Sequence, residues 1–261
     1  MSINTPHNIT HKIILITGAS SGIGAACAEI FAAAGAKLIL AARNTEKLVQ
    51  LAHTLTLKHA TEIHLLPLDV SQRQAVETAI ATLPAAWRQI DVLINNAGVA
   101  LGKEPLQAGE IADWDIMLDT NVKGLLYVTR AILPAMLQRN CGHIINIGSI
   151  AGHQVYPGGA VYCASKFAVN ALSQGLRLDV MGSAIRVTSI DPGAVETNLS
   201  KVRFKGDIEK ANAVYQGFTP LTAADIADAV YYCASCPAHV NISDMIIMPT
   251  EQASANHIHR R

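Results

Sequence analysis

About seven short apolar runs alternate with longer amphipathic segments along this chain of 261 residues, and this alternation constrains the fold most strongly. Each run is short enough for a buried strand, while the segment that follows it is long enough for a helix. This order is typical of βαβ units, in which successive strands lie parallel. The predicted strands are KIILIT from Lys12, KLILAA from Lys37, IHLLPL from Ile63, DVLINN from Asp91, HIINIG from His143, IRVTSI from Ile185 and MIIM from Met245. We therefore predict an α/β fold, a single-domain Rossmann-type doubly wound sheet of about seven parallel strands with helices on both faces.

No internal repeat, low-complexity tract or linker divides the sequence, so residues 1–261 are predicted to form one domain. One long irregular stretch, from about Asp191 to Pro220, follows a strand and carries charged and aromatic residues. Long loops of this kind inside compact domains are usually functional, and we predict a substrate lid at about 191–220. The predicted helix signals are capping-box spacings at Ser71 with Gln74 and at Thr222 with Asp225, and a long helix from about Asp113 to Arg139 that ends at Gly142.

Charge and composition argue against several classes of partner. Twenty Lys and Arg residues balance twenty Asp and Glu residues and the pI is about 7.1, so no net field favours nucleic acid or an anionic membrane surface. The stretch MSINTPHNIT lacks the basic and apolar regions of a signal peptide, and polar residues interrupt the most apolar long stretch, from Ala25 to Ala42. The expected protein is cytoplasmic, and its expected partner is a small molecule.

The five cysteines are odd in number and scattered, which suits a reducing compartment. Cys233 and Cys236 form a C-x-x-C pair. This pair ends a helical pattern, whereas a helix dipole stabilises a thiolate at a helix start. Ordinary helix packing is therefore favoured over redox or metal chemistry. Two histidines in the tail, residues 251–261, are only weak metal candidates, and no metal site is predicted.

A glycine-rich stretch, TGASSGIG, follows the first predicted strand and opens the first helix. Gly18, Gly22 and Gly24 would let the backbone turn tightly and approach a pyrophosphate at the positive helix terminus. The spacing G-x-x-x-G-x-G differs from the commoner G-x-G-x-x-G, and a simple strand-to-helix turn is the alternative. The position directly after the first strand favours a dinucleotide site.

The end of the second predicted strand indicates which dinucleotide binds. NAD-selective folds usually carry an acid there, which binds the ribose hydroxyls of the adenosine. This sequence has Ala42 at that position followed by Arg43, whose guanidinium could bind a 2′-phosphate. We therefore predict NADP as the cofactor, the alternative being a solvated Arg43 at a helix start. Asn44 is predicted to cap that helix.

Tyr162 and Lys166 lie four residues apart in VYCASK, within a predicted helix, and therefore share one face. A free phenol has a pKa near ~10 and is a poor base at neutral pH. A lysine on the same helix face therefore needs a reason to lie beside this tyrosine. Tyr162 alone would be an ordinary interfacial aromatic residue.

Over nearly its whole length the sequence closely resembles the short-chain dehydrogenase/reductase family. The motifs that carry the resemblance are TGASSGIG at 17–24, LDV at 68–70, NNAG at 95–98, Asn121, Ser149, Tyr162 with Lys166, and PGAVET at 192–197. The resemblance implies an oxidoreductase that transfers hydride between NADP(H) and a CH–OH group.

Four catalytic residues are implied by the resemblance. Tyr162 is the acid/base, and Lys166 lowers the tyrosine pKa together with the nicotinamide ring and holds the ribose hydroxyls. Ser149 would donate a hydrogen bond to the substrate oxygen, where negative charge builds up. Asn121 would hold a water that links Lys166 to solvent.

The resemblance also implies a set of cofactor-binding residues. Asp69 and Val70 would border the adenine, and Val195 and Thr197 would anchor the carboxamide, although each could otherwise be a strand-end or turn residue. Asn95 could serve the sheet more than binding. The full set is Gly18, Ser20, Ser21, Gly22, Ile23, Gly24, Arg43, Asp69, Val70, Asn95, Ala97, Gly98, Tyr162, Lys166, Pro192, Gly193, Val195 and Thr197.

Four further stretches resemble one subgroup, the NADP-dependent 3-hydroxy acid dehydrogenases. They are LPAAW from Leu83, GHIINIGS from Gly142, VRFKGD from Val202 and PAHVNI from Pro237. The resemblance implies serine, L-allo-threonine, 3-hydroxyisobutyrate or 3-hydroxypropionate as substrates, with malonic semialdehyde reduced in the reverse direction. It also implies a homotetramer.

A small hydroxy acid needs a cation for its carboxylate. Our hypothesis is that Arg203, in the predicted lid, turns inward and binds the carboxylate bidentately, so that Ser149, Tyr162 and Arg203 contact the substrate. A solvated charged loop is the alternative. The residues interpreted as packing residues are Tyr156 and Met181.

Two other functions stay open on the sequence alone. A 3-oxoacyl-carrier-protein reductase or general carbonyl reductase of the same fold would not need Arg203. A non-catalytic NADP-sensing protein could share the fold, because fold does not determine function.

Overall fold

The computed structural model describes residues 9–261. Most of the stretch MSINTPHNIT, from which the absence of a signal peptide was predicted, therefore lies outside the described residues. The chain forms one 7-stranded sheet in the order β3-β2-β1-β4-β5-β6-β7, and every neighbouring pair is parallel. The strands are β1 Ile13–Thr17, β2 Lys37–Ala42, β3 Ile63–Pro67, β4 Val92–Asn95, β5 Gly142–Ile147, β6 Ile185–Pro192 and β7 Asp244–Ile247. The predicted doubly wound parallel sheet is confirmed.

Helices cover both faces of the sheet, because successive strand residues point to opposite sides. In β1, Ile14 and Ile16 pack in one apolar cluster with Phe31, while Leu15 packs in a second cluster with Val128. Strands that are buried on both faces have continuous apolar sequences, and these are the short apolar runs from which the strands were predicted. The helices are α1 Gly22–Ala33, α2 Thr45–His59, α3 Arg73–Ala81, α4 Ile111–Leu118, α5 Leu125–Arg139, α6 Ala160–Asp179, α7 Leu199–Arg203, α8 Ile208–Ala213 and α9 Ala223–Ser235.

The strand order reverses beside β1. The chain builds outward through β2 and β3 and then returns to place β4 on the other side of β1. The connections after β1 and β4 therefore leave the sheet in opposite directions and open a crevice at its carboxyl edge.

Two of the predicted helix starts are confirmed and one is wrong. Asn44 caps α2 by accepting a hydrogen bond from the Lys47 backbone N–H, and Thr222 forms a full capping box with Asp225 at the start of α9. Ser71 does not cap α3, which begins at Arg73. Its hydroxyl donates instead to Asp69 Oδ1 at 2.7 Å.

The predicted long helix is present but differs at two points. A π-helical segment, Asp119–Gly124, joins α4 to α5. The helix ends at Arg139, as predicted, and the following Asn140 adopts a left-handed φ of 50°. Gly142 was predicted as the terminating glycine but begins β5, where a Cβ would lie 2.5 Å from Met136 Sδ. Asparagine tolerates the left-handed conformation, so glycine was not required there.

The stretch 191–220 was predicted as irregular, but it contains the short helices α7 and α8. Its base is closed by a bridge between Val195 and Leu221. At the end of α9, Cys233 packs in the apolar core, and burial raises the pKa of its thiol to about 12. Among residues 9–261, no helix is long and apolar enough to cross a membrane.

Candidate active site

A cleft of about 600 Å³ opens at the carboxyl edge of the sheet, over the point where the strand order reverses. Most of the predicted site residues lie around it. Those that line the cleft are Gly18, Ser20, Ser21, Gly22, Ile23, Arg43, Asp69, Val70, Ala97, Gly98, Ser149, Tyr162, Lys166, Pro192, Gly193, Val195 and Thr197. Four predicted site residues do not line the cleft, namely Gly24, Asn95, Asn121 and Arg203.

The loop between β1 and α1 depends on glycine. Gly18 and Gly22 have φ values of 64° and 54°, a left-handed region that other residues rarely adopt. A Cβ at Gly18 would lie 2.9 Å from the Ala97 Cα atom. No side chain caps α1, so its first backbone N–H groups are available to bind an anion. This loop is a cradle of the shape that a pyrophosphate requires.

Gly24 supports this cradle from behind. A Cβ at Gly24 would lie 2.4 Å from the Gly18 carbonyl oxygen, so only glycine lets α1 pack this closely against the loop. Gly24 therefore shapes the loop instead of lining the cleft.

Arg43 is exposed beside the cleft at the end of β2, and the preceding Ala42 is buried. The strand thus ends with a cation at the position where an acid would bind ribose hydroxyls. Asp69 also lines the cleft, but its Oδ1 already accepts hydrogen bonds from the Ser71 backbone N–H and hydroxyl.

Asn95 and Asn96 have different roles. Asn95 is buried, and its amide group donates to Thr129 Oγ1 and Asn146 Oδ1, so it joins the sheet to α5. Asn96 lines the cleft and donates to the carbonyl oxygens of Thr17 and Gly18. The stretch Asn95 to Gly98 was predicted to line the cleft; of its two asparagines Asn96 does so and Asn95 does not, a difference that strand alternation could have indicated.

Tyr162 and Lys166 both face the cleft from α6. Lys166 Nζ lies 6.0 Å from the centroid of the Tyr162 ring and donates to the Ile147 carbonyl oxygen at 2.9 Å. Burial lowers the pKa of Lys166 to about 8, and the negative charge of Asp191 opposes this shift. Lys166 is therefore poised to lose its proton in mildly alkaline solution.

Burial raises the pKa of the Tyr162 phenol, and the phenol of Tyr156 adds to this shift. The groups that oppose the shift are the Ser149 hydroxyl and the positive charge of Arg203. Among the chain's own groups, desolvation outweighs the nearby charges; the predicted lowering of this pKa also included the nicotinamide charge and stays a prediction. Within the chain, Ser149 and Arg203 are the groups that lower the pKa of Tyr162 and so favour the phenolate. The prediction had assigned this effect to Lys166.

Ser149 begins a short 3₁₀ turn, Ile150–Gly152, directly after β5. Its hydroxyl oxygen accepts a hydrogen bond from the Ala151 backbone N–H at 3.1 Å, and its own N–H donates to Asp191 Oδ1 at 3.2 Å. The backbone and side chain of Ser149 are thus both held in place beside Tyr162.

Asn121 lies in the π-helical segment and is buried behind the cleft. Its Oδ1 accepts from the Val99 N–H, and its Nδ2 donates to the Val99 carbonyl and to Ser165 Oγ. The Asn121 side chain therefore links the loop that follows β4, at Val99, to Ser165 of α6. The predicted water-holding role gains no support from these side-chain contacts. π-Helical turns are frequent at functional sites, and no sequence signal indicated this one.

Arg203, at the end of α7, turns toward Tyr162 as the hypothesis required. Its guanidinium carbon lies 5.8 Å from the centroid of the Tyr162 ring. Nε donates to the Gly102 carbonyl oxygen and Nη1 donates to the Tyr156 hydroxyl, both at 2.9 Å. Nη2 is buried with no hydrogen-bond partner among the described residues. Tyr156, interpreted as a packing residue, is a ligand of this guanidinium.

Comparison with known proteins gives the family. A model described as short chain dehydrogenase matches residues 12–207. The chain belongs to the short-chain dehydrogenase family. The resemblance drawn from its motifs is confirmed, and so is the prediction of an oxidoreductase.

Similar short-chain dehydrogenases include three informative proteins. NADP-dependent 3-hydroxy acid dehydrogenase YdfG of Salmonella typhi is 49% identical over 250 residues, which cover 95% of this chain and 99% of that protein. Sulfoacetaldehyde reductase 2 of Chromohalobacter salexigens is 46% identical over 242 residues, which cover 92% of this chain and 95% of that protein. A solved structure described as the closed form of serine dehydrogenase complexed with NADP⁺ has a TM-score of 0.89 at 47% identity, and the match covers 95% of this chain and 100% of that chain.

Proposed function

We propose that this short-chain dehydrogenase transfers hydride between NADP(H) and a short 3-hydroxy acid or the corresponding semialdehyde or ketone. The observation that carries the proposal is Arg203, whose guanidinium faces Tyr162 while Nη2 is buried without a partner in the described part of the chain. A buried, unpartnered donor on a cation is costly, and a substrate carboxylate would relieve that cost. The named relatives that act on 3-hydroxy acids and on serine support the same substrate class.

NADP fits the cleft. The Gly18–Gly24 loop would hold the pyrophosphate, Arg43 the 2′-phosphate, Asp69 and Val70 the adenine, and Val195 with Thr197 the carboxamide. When bound, the nicotinamide supplies the hydride acceptor. The NADP-dependent relative and the NADP⁺ complex of the similar structure support this choice over NAD.

Tyr162 would take the proton of the substrate hydroxyl as the carbonyl forms and return it in the reverse reaction. Ser149 would donate a hydrogen bond to the same oxygen, where charge accumulates. Lys166 would keep a positive charge beneath this pair and contact the ribose hydroxyls. Asn121 would act as a positioning residue, because it holds the backbone of Val99, which lines the cleft, and the Ser165 hydroxyl of α6.

The short spacing between carboxylate and hydroxyl suits this site. Only one carbon separates C1 from C3 in a 3-hydroxy acid, so both groups are within reach of Arg203 and Tyr162, whose ring lies 5.8 Å from the guanidinium. Nη2 would donate to one carboxylate oxygen and Nη1, which also donates to the Tyr156 hydroxyl, to the other, while Nε donates to the Gly102 carbonyl oxygen.

A second candidate substrate is a short sulfonated aldehyde. The observation that favours it is the relative named sulfoacetaldehyde reductase 2, at 46% identity. A sulfonate presents three acceptor oxygens and a negative charge, so the same guanidinium could bind it in place of a carboxylate.

The test follows NADP reduction with 3-hydroxypropionate, serine and L-allo-threonine, with 2-hydroxyethanesulfonate as the sulfonate, and with 1,3-propanediol as the neutral analogue. We expect turnover with the acids and little with the diol. The Arg203→Ala variant should raise KM for the acids by about 10- to 100-fold, because a charged hydrogen bond contributes roughly 1.5–3 kcal/mol.

Lys201→Ala is the matched control, since Lys201 is exposed on the same helix. It should leave all rates unchanged. Efficient oxidation of 1,3-propanediol, unaffected by Arg203→Ala, would refute the acid proposal and favour a general carbonyl reductase. Faster turnover of the sulfonate than of any carboxylate would favour the second candidate.

We further propose that residues 191–220 form a substrate lid, because α7 contributes Leu199 and Val202 to the cleft beside Arg203. Exposed apolar side chains on α4 and α5, among them Ile111 and Leu126, support the homotetramer through paired helices. The cytoplasmic location stays a prediction.

A further inference from the structure

Asp191 is a buried carboxylate near the end of β6, with 1% of its surface exposed. Its Oδ1 accepts hydrogen bonds from Ser189 Oγ at 2.8 Å and from the Ser149 backbone N–H at 3.2 Å. Its Oδ2 lies 2.9 Å from Nε2 of His153. A buried carboxylate needs such partners to keep its charge, and Asp191 has one for each oxygen.

This carboxylate lies directly behind the cleft. A Cβ at Gly148 would lie 1.8 Å from Asp191 Oδ1, so the chain passes there only as glycine. Gly148 lines the cleft, and the preceding Ile147 carbonyl accepts the hydrogen bond from Lys166 Nζ. The backbone from Ile147 to Ser149 therefore has Asp191 on one side and the reacting groups on the other.

We propose that Asp191 is a positioning residue of the active site, whose carboxylate holds the Gly148–Ser149 backbone in place and maintains the positive charge of Lys166, with His153 as its hydrogen-bond partner. The inference rests on the proposed roles of Ser149, Tyr162 and Lys166. It adds a residue outside the family motifs quoted above, 42 positions from Ser149 in sequence.

The charged and titratable groups that face Asp191 come from two elements. Lys166 faces it from α6, and His153 faces it from the turn after β5. Asn170 of α6 contacts the His153 ring with its Nδ2, 3.3 Å from Nδ1. Of the described residues, Ser189 of β6 and Ile246, which β7 pairs with Asp191, are uncharged neighbours.

The sign of the effect follows from charge. Burial lowers the pKa of Lys166 to about 8, and Asp191 raises it against that shift. Without the negative charge, Lys166 would lose its proton at a lower pH. If Lys166 must be charged for turnover, the alkaline limb of the pH–rate profile moves in the same direction.

The experiment uses Asp191→Asn, which keeps an acceptor for Ser149 and Ser189 but removes the charge. Competitive acetylation with acetic anhydride, read by mass spectrometry, gives the titration midpoint of Lys166 without any substrate. We expect the midpoint to fall below that of the wild type, and the alkaline limb of kcat to move to lower pH. NADP affinity at pH 6 should be unchanged. A midpoint and a pH limb identical to those of the wild type would overturn the proposal.

Asp91→Asn is the matched control. The Asp91 carboxylate also accepts from a backbone N–H, that of Ile13, but it lies at the opposite edge of the sheet beside Lys12 and Arg139. This variant should be less stable while Lys166 titrates as in the wild type. A fall in the Lys166 midpoint equal to that of Asp191→Asn would assign the effect to general loosening and contradict the proposal.

His153→Gln covers the case in which Asp191→Asn does not fold. Its amide can donate to Asp191 Oδ2 in place of the imidazole and the carboxylate keeps its charge, so the Lys166 midpoint should not fall, and a fall would overturn the proposal. Failure of the proposed function is distinguishable, because acetylation requires no turnover. A wild type that oxidises no hydroxy acid, with a lowered Lys166 midpoint in Asp191→Asn, would refute the substrate class and retain the Asp191–Lys166 link.

Discussion

The two halves of the cleft are built from different groups. The nucleotide half uses backbone, in the left-handed turns at Gly18 and Gly22 and the free N–H groups at the start of α1. The proposed substrate half uses side chains from distant stretches, because Arg203, which lies beside the residues that line the cleft, contacts Gly102 and Tyr156, which lie 101 and 47 residues away. A backbone cradle depends on which residues have no Cβ, whereas the guanidinium site depends on how separate segments pack. Mutations should therefore separate the two halves.

Tyr162→Phe should have the largest effect, since Tyr162 lies where the halves meet. Removing the hydroxyl removes the proton acceptor, and kcat should fall by about 10²- to 10⁴-fold. NADP affinity, measured by fluorescence titration, should stay at the wild-type value. Tyr232→Phe, at an exposed position on α9, is the control. A kcat within a few-fold of the wild type would rule out Tyr162 as the acid/base.

Arg43→Ala tests the nucleotide half alone. Loss of one charged hydrogen bond, roughly 1.5–3 kcal/mol, should raise KM for NADP by about 10- to 100-fold and leave KM for NAD unchanged. Steady-state rates with both cofactors measure this, and Lys47→Ala on the next turn of α2 is the control. An equal loss with both cofactors would argue that Arg43 supports the loop and does not bind the 2′-phosphate.

Tyr156→Phe tests the substrate half and should have the smallest effect. It removes the hydroxyl that accepts from Arg203 Nη1 but keeps the ring. A hydrogen bond of about 1 kcal/mol corresponds to a rise in KM for hydroxy acids of roughly five-fold. The rate with 1,3-propanediol should not change. A parallel loss with the diol would indicate that Tyr156 acts on Tyr162 and not on the carboxylate site.

The features predicted correctly from sequence are local. Gly18 and Gly22 follow β1 at a fixed spacing, and Tyr162 and Lys166 share one face of α6 because they are four residues apart. Such signals reside within one element, so a single sequence contains them. The substrate-binding role of Arg203 stays a prediction, because the sequence supplied only its charge and its partners are distant residues.

The features that were missed depend on distant segments or on exact register. Asn95 and Asn96 are adjacent, and only the last residue of β4 decides which one faces the cleft. The contact of Tyr156 with Arg203 and that of Asp191 with Ser149 join segments far apart in sequence. Burial, a tertiary property, raises the pKa of Tyr162 against its charged neighbours in the chain, and the nicotinamide charge that the prediction included is not among them.

The bridge between Val195 and Leu221 holds the two ends of the intervening segment together. Two backbone hydrogen bonds reinforce it, from Glu196 N–H to the Leu221 carbonyl and from Leu221 N–H to the Ala194 carbonyl. α7 and α8 can therefore melt together while strand pairing on both sides of β6 stays intact. In hydrogen-exchange terms we expect the segment to open as a unit of its own, at a lower free energy than global unfolding. If Arg203 binds the substrate carboxylate as proposed, the opening that admits a substrate also moves this guanidinium away from the site.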